Sequence, residues 1–196
     1  MLKIAEIKTR VRDRIGDELG PFGFQRRGGA CYRRFQHGLC VVEPVFLSNT
    51  NAAYFATNTA TFNLNVGIYF SFIESIGGDA DRIIDGEHAP SEYACHLRAC
   101  LLRKYKVRAE HGSRRDLWMM HEFESRSAEI EKDLTRALLK KALPWFAEYT
   151  SLHTAYRTIA KKRDGDATAG KIFGLGAIGC PWRQRLLAGF DEAGVL

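Results

Sequence analysis

Apolar side chains near the start of the chain recur with the period of a helix. Steps of three and four residues place the following set on one face: Ile4, Ile7, Val11, Ile15 and Leu19. Gly20 and Pro21 come next and are typical of a helix end. The pattern predicts an amphipathic helix over residues 2–19 that packs one face on a core.

Period-two alternation replaces the helical period in the next part of the chain. Residues 59–70 alternate apolar and polar side chains, which predicts a strand with one buried face. Residues 30–35 and 39–47 predict a hairpin centred near His37, in which Cys31 lies opposite Glu43 and Cys40 opposite Arg34. Pro44 cannot donate to a ladder, so we expect it at an edge or a bulge.

Three further segments complete this half of the chain. Residues 93–102 alternate again and predict another strand. The polar residues 48–58 and the acidic residues 74–92 show no clear period, so we interpret both as loops.

The helical period returns in the last third of the chain. Residues 127–143 predict a helix, which Pro144 ends or kinks, and a second helix follows. Residues 163–170 have the composition of a linker. We predict an α+β domain over residues 1–162, with an antiparallel sheet of about four strands and helices on one face. Residues 163–196 are then a linker and a short helical tail.

Charge is segregated into blocks along the chain, within a net charge of +6. Residues 21–40 carry four arginines and no acid, and residues 41–92 carry seven acids and one arginine. Residues 93–115 carry seven basic side chains and one acid. Two arrangements are compatible with such blocks: they pair across the fold, or they form separate basic and acidic surfaces.

Motifs for catalysis, cofactors and metals do not fit the sequence. Residues 174–179, GLGAIG, match a dinucleotide fingerprint, but too few residues follow for the helix and second strand of that unit. Residues 79–87 resemble a calcium loop, but Ile83 and Ile84 stand where an oxygen ligand and a glycine are needed. We therefore predict no cofactor and no metal, and the sequence favours a protein that is not an enzyme.

The cysteines and the first residues indicate a cellular compartment. Five cysteines at irregular spacing, with no apolar leader and no apolar run of membrane length, predict a cytoplasmic protein with free thiols.

A polar sheet face is the first candidate binding surface. If the last two predicted strands are neighbours, Asn63 and Asn65 share one face with His96 and Arg98, and Trp118 is an expected apolar wall. Asn is uncommon in strands, and an arginine can hold an anion or a carboxylate in bidentate fashion. A solvated face without a ligand is the alternative.

The arginine-rich hairpin is the second candidate surface. Its candidate anion contacts lie among aromatic residues beside a Gly-Gly pair: Arg26, Arg27, Arg33 and Arg34. The alternative is an edge strand that its arginines keep from aggregating.

Several short motifs, in order, resemble a known bacterial family. The segments PFGFQRRGGACYRRF, FNLNVGIYF and ACHLRACL, followed by Trp118 and a leucine-rich helix, resemble domain-of-unknown-function family 4304 over roughly residues 2–150. The resemblance implies an α+β bacterial domain. It implies no catalytic residue, because the family has no established activity.

These observations favour a cytoplasmic binding module whose ligand is a protein partner or an anionic molecule. Neutralisation of a toxin is one function within this class. The alternative is a nucleic-acid-binding protein that uses the basic blocks at residues 26–34 and 98–115.

Overall fold

The computed structural model describes most of the chain. The described residues are 3–73, 83–103, 107–109, 112–118, 120, 123–161 and 181–194. The linker predicted over residues 163–170 and the GLGAIG motif lie outside these ranges, and the side chains of residues 104–114 are not described either.

The chain begins with a helix, continues with a run of strands that a short helix interrupts, and ends with helices. The helices are α1 (Ile4–Leu19), α2 (Asn49–Tyr54), α3 (Phe123–Ala137), α4 (Leu143–Tyr149), α5 (Leu152–Lys161) and α6 (Pro181–Glu192). The strands are β1 (Gln25–Arg27), β2 (Ala30–Phe35), β3 (Gly38–Phe46), β4 (Phe62–Phe70), β5 (Ile83–Ile84), β6 (Glu87–His88), β7 (Leu97–Cys100), β8 (Val107–Ala109), β9 (Gly112–Arg114) and β10 (Leu117–Trp118).

An antiparallel sheet of six strands forms the centre of the fold. Strands β1, β2, β3 and β4 are adjacent in that order, and β7 and β10 both pair with the other side of β4. Val41 lies opposite Gly67, and Gly67 lies opposite Arg98. An N-terminal helix, this sheet and C-terminal helices confirm the predicted α+β class.

The main core lies between one face of the sheet, here called the helix face, and the helices. Strand β4 contributes alternate side chains that are fully buried: Phe62, Leu64, Val66, Ile68 and Phe70. Helix α1 contributes its predicted apolar stripe from Ile7 to Leu19, whereas Ile4 in its first turn is 43% exposed. Burial of these two apolar stripes contributes hydrophobic stabilisation.

Strand β3 extends past the end of β2. Their pairing ends at Cys31 and Val42, so Pro44 has a neighbouring strand only on the β4 side, as expected for a residue without an N–H. The hairpin turn has two residues rather than the predicted three. The register therefore differs by one from the prediction, and Cys40 pairs with Arg33.

Helix α3 does not end at the proline that follows it. It begins at Phe123 and continues through a π-helical turn, Leu138–Ala142, into α4. Pro144 lacks the N–H that would bond to the preceding turn, and a π-helical turn is one way to accommodate such a break. The helix is thus not interrupted before Pro144. It widens for one π-helical turn and then continues to Tyr149.

Two segments predicted as loops contain short regular structure. Ser48 accepts a hydrogen bond from the N–H of Asn51 at 3.2 Å and caps α2, a signal that the loop interpretation overlooked. Residues 83–88 form the hairpin β5–β6 around Asp85 and Gly86, both with positive φ. An Asp-Gly pair in that conformation forms a two-residue type I′ turn, which fixes the pairing of the flanking residues.

The C-terminal helix α6 packs on the main core. Leu186 and Phe190 are 3% and 0% exposed, and the Phe190 ring centroid lies 5.1 Å from that of Phe70. Gly189 approaches Ile73 so closely that an added Cβ would lie 3.0 Å from Cγ1 of that side chain. The short helix predicted in the tail therefore contributes to the same core as the sheet.

We expect Phe190→Ala to lower the free energy of unfolding by about 3–5 kcal/mol, because it removes a fully buried ring. Urea denaturation followed by circular dichroism measures the change. Asp191→Ala, at the exposed neighbouring position, is the control and is expected to stay within about 0.5 kcal/mol. Unchanged stability of Phe190→Ala would mean that α6 is a separate tail.

Candidate anion-binding site

The face of the sheet opposite the helices, here called the hairpin face, is partly covered by the chain between β5 and β7. A second, smaller core lies there and consists of Ala30, Tyr32, Leu39, Val41, Tyr69, Ala89 and Cys95. Gly67 permits this close packing, since an added Cβ would lie 2.5 Å from Sγ of Cys95. Any side chain at position 67 would therefore push the covering segment away from the sheet.

The hairpin β5–β6 places Glu87 beside strands β1 and β2. Oε2 of Glu87 accepts hydrogen bonds from Nη1 of Arg27 and, at 2.8 Å, from Nη2 of Arg34. Nη2 of Arg27 also donates to Oε1 of Gln25 at 3.1 Å. Two guanidinium groups from neighbouring strands thus converge on one carboxylate.

The two arginines control the protonation of this carboxylate. The hydrogen bond from Arg27, followed by that from Arg34, lowers the pKa of Glu87 from 4.5 to about 2. The side chains of Arg34 and Glu87 are 69% and 42% exposed, so water screens their attraction and its net contribution to stability is small. A contact of this strength can be exchanged for a contact with another anion.

A polar cleft of about 360 Å³ adjoins the contact. Its lining consists of Gly23, Gln25, Arg27, Tyr32, Arg34, Leu39, Glu87 and His88. Tyr32 is buried, and its hydroxyl donates to the carbonyl oxygen of Pro90 at 3.2 Å, so the wall beneath the arginines is fixed. The volume lies near the lower end of the range for small-ligand sites.

The four predicted anion contacts do not form one surface. Arg27 and Arg34 lie on the hairpin face, where they meet Glu87. Arg26 and Arg33 lie on the opposite face because of strand alternation. Arg26 pairs with Asp13, and the guanidinium of Arg33 lies 4.9 Å from the ring centroid of Phe24.

Part of the predicted polar face forms in the structure. Strands β4 and β7 are neighbours, and the register places Asn63, Asn65 and Arg98 on the hairpin face. Nδ2 of Asn63 donates to the carbonyl oxygen of Asp116 at 2.8 Å. Arg98 is only 6% exposed, and its guanidinium lies 4.7 Å from the ring centroid of Tyr93. Two of these side chains therefore have a structural role as well.

The other two predicted site residues are buried. Nδ1 of His96 accepts a hydrogen bond from the N–H of Phe70 at 2.9 Å, which fixes that nitrogen in its unprotonated form. Trp118 pairs with Phe62, lies on the helix face and stacks on that ring at 5.6 Å. The structure places Trp118 in the main core rather than beside Asn63 and Arg98.

Glu87 and Tyr32 are two of the cleft residues that the sequence prediction omitted. The Asp-Gly turn at residues 85–86 is the signal that could have indicated Glu87, because it defines a hairpin that must pack on something. Nothing local identifies the strands on which the hairpin packs, so its meeting with Arg27 and Arg34 could not be derived.

The described cysteines are all free thiols. Burial raises the pKa of both Cys31 and Cys40 to about 11, so both are neutral, and they lie in the main core. Within the part of the chain that the structure describes, no group of three or more potential metal-ligating side chains occurs, and no helix is long and apolar enough to cross a membrane.

The fold and the cleft together define an α+β domain whose sheet is covered on both faces and carries a two-arginine cleft near one edge. Residues 15–148 match the protein family described as a domain of unknown function, DUF4304. The chain belongs to this family, as its motifs indicate. No curated protein and no solved structure matches the chain significantly.

The carboxyl of Glu87 is expected to titrate below its ordinary pKa of 4.5. Its pKa is depressed in the folded state, so its stabilising contact is complete above pH 4.5 and is lost as the pH falls toward 2. NMR titration of the carboxyl carbon measures the midpoint directly. Arg34→Gln should move that midpoint upward, toward 4.5, because one of the two hydrogen bonds is removed. A wild-type midpoint at 4.5 would contradict the described contact.

Proposed function

We propose that the protein is a binding module that recognises an acidic group, carried by a protein partner or by a smaller anionic ligand. The observation that supports this function is the convergence of Arg27 and Arg34 on the single carboxylate of Glu87. A guanidinium offers five N–H donors in a planar fork that matches carboxylates, so a ligand carboxylate can replace that of Glu87.

The hairpin that carries Glu87 favours such an exchange. Strands β5 and β6 have two residues each, Ile83 is 73% exposed, and an added Cβ at Gly86 would meet no atom within 4 Å. A two-stranded hairpin of this size is marginally stable by itself. An incoming acidic group therefore competes with a partly exposed carboxylate on a short hairpin.

The polar residues further along the hairpin face are proposed as a second contact region. Asn63 and Asn65 are half-buried there, and Oδ1 of Asn65 is buried without a hydrogen-bond partner within the described part of the chain. Arg98 lies on the same face opposite Gly67, and His96 lies further along β4, beside Phe70. In this proposal Trp118 supports the region from the core and does not touch the ligand.

The split of the arginines favours an acidic group over a nucleic-acid backbone. A basic block that tracked a phosphate backbone would present its cations on one surface. Arg26 and Arg33 instead lie on the helix face with partners of their own. The proposed setting is the bacterial cytoplasm, in line with the free thiols at Cys31, Cys40, Cys95 and Cys100.

Titration with a hexaglutamate peptide, followed by calorimetry and by NMR of the arginine side chains, tests this function. We expect Arg34→Gln to weaken binding about tenfold, since a hydrogen bond to a charged group is lost. Glu87→Gln should tighten binding because it removes the internal competitor. Arg10→Gln is the matched control: Arg10 is also exposed and paired with a glutamate, Glu131, but on α1.

Two outcomes would contradict the proposal. If Arg34→Gln and Arg10→Gln weakened peptide binding equally, the change in net charge alone would account for the effect. Tighter binding of a random single-stranded oligonucleotide than of hexaglutamate, with a steep dependence on salt, would favour the nucleic-acid hypothesis.

A further inference from the structure

A second concentration of positive charge lies at the edge of the sheet farthest from β1, where β7 ends and β10 begins. The N–H of Arg103 donates to the carbonyl oxygen of Arg115 at 2.7 Å. Nε of Arg115 donates back to the carbonyl oxygen of Arg103 at 2.9 Å. These two bonds hold the two arginines side by side although they are separated in the sequence.

Helix α3 and its π-helical turn add two more cations. Asp133 accepts hydrogen bonds from Nε of Arg103 at 3.1 Å and from Nη2 of Arg136 at 2.6 Å. Nζ of Lys141 donates to the carbonyl oxygen of Leu102. The resulting group is called the basic cluster and consists of Arg103, Arg115, Arg136 and Lys141.

The basic cluster has more positive charge than its internal contacts neutralise. Burial, followed by the charges of Arg136 and Arg115, lowers the pKa of Lys141, so the cations lie close enough to repel one another. Within the described residues, each of the four side chains donates one hydrogen bond through one nitrogen. A guanidinium has five N–H groups and an ammonium has three, so Arg115, Arg136 and Lys141 have more donors than these contacts use.

Exposure divides the cluster into two parts. Arg103 and Asp133 are 5% and 9% exposed, so this buried pair is a fixed support. Arg115 is exposed, the side chain of Arg136 is 33% exposed, and Lys141 is half-buried. Three cations therefore lie next to solvent, around the buried Arg103–Asp133 pair.

We propose that the basic cluster binds a phosphate group, either as inorganic phosphate or as a small phosphate monoester. Arg115, Arg136 and Lys141 contact the phosphate oxygens. Arg103 positions the side chain of Arg115, and Asp133 positions that of Arg136. A tetrahedral dianion accepts hydrogen bonds from several directions and its charge offsets the repulsion among the cations. This site lies across the sheet from Arg27 and Arg34 and does not depend on the proposed function.

Calorimetric titration with inorganic phosphate and with glycerol phosphate, at an ionic strength held constant with sodium chloride, tests the site. We expect saturable binding of both anions by the wild-type protein. Lys141→Gln and Arg115→Gln should each weaken it about tenfold or more. Lys161→Gln is the matched control, because it removes the same charge from an exposed position on α5 and should leave the affinity nearly unchanged.

Circular dichroism of each variant separates loss of binding from loss of folding. If Lys141→Gln unfolds, the exposed position of Arg115 keeps Arg115→Gln informative. Absence of saturable binding to the wild-type protein, or equal weakening by Lys161→Gln, would overturn the proposal. Tighter binding of a single-stranded oligonucleotide than of glycerol phosphate would also overturn it, since a phosphodiester polyanion would then be the preferred ligand.

Discussion

Strand β4 is the constraint on which both faces of the molecule depend. It pairs with β3 along its whole length and with β7 and β10 on its other side, so it cannot move without breaking three ladders. Its alternation sends Phe62 and the matching apolar positions into the main core. The same alternation places Gly67 on the hairpin face, where its missing side chain lets Cys95 approach. The chain between β5 and β7 can then cover the sheet and bring Glu87 to β1 and β2.

Pairing between two of the charge blocks occurs in the described part of the folded protein. The acidic block pairs with the first basic block where Glu87 meets Arg27 and Arg34. Among the described residues of the second basic block, Arg103 and Arg115 lie beside two further cations, which come from the helices around Asp133. Opposite charges thus pair near the β1 edge of the sheet, whereas four cations lie together at the other edge. For this reason the two proposed sites differ in the anion that they suit.

Local periodicity was sufficient for the elements that bury one face. The stripes of α1 and β4, and the hairpin of β2 and β3, follow from steps of 3.6 and two residues. Short elements are set by single caps and turns, such as Ser48 and the Asp-Gly pair at residues 85–86, and a search for periodicity overlooks them. Such short elements contain too few residues for a periodic pattern that would distinguish them from a loop.

Placement of site residues depends on contacts that no local pattern contains. Alternation correctly puts Asn65 and Arg98 on one face once β4 and β7 pair. The register of β10, by contrast, is set by two residues, and it turns Trp118 toward Phe62 on the opposite face. The pairing of Arg34 with Glu87, 53 residues away, likewise requires the folded chain.

In the proposed function, Glu87 occupies the position of a ligand carboxylate. A crystal structure of the wild-type protein with bound hexaglutamate tests it most directly. We expect a peptide carboxylate in contact with both Arg27 and Arg34, and Glu87 turned away from them. A peptide bound elsewhere, with Glu87 still held by both arginines, would contradict it.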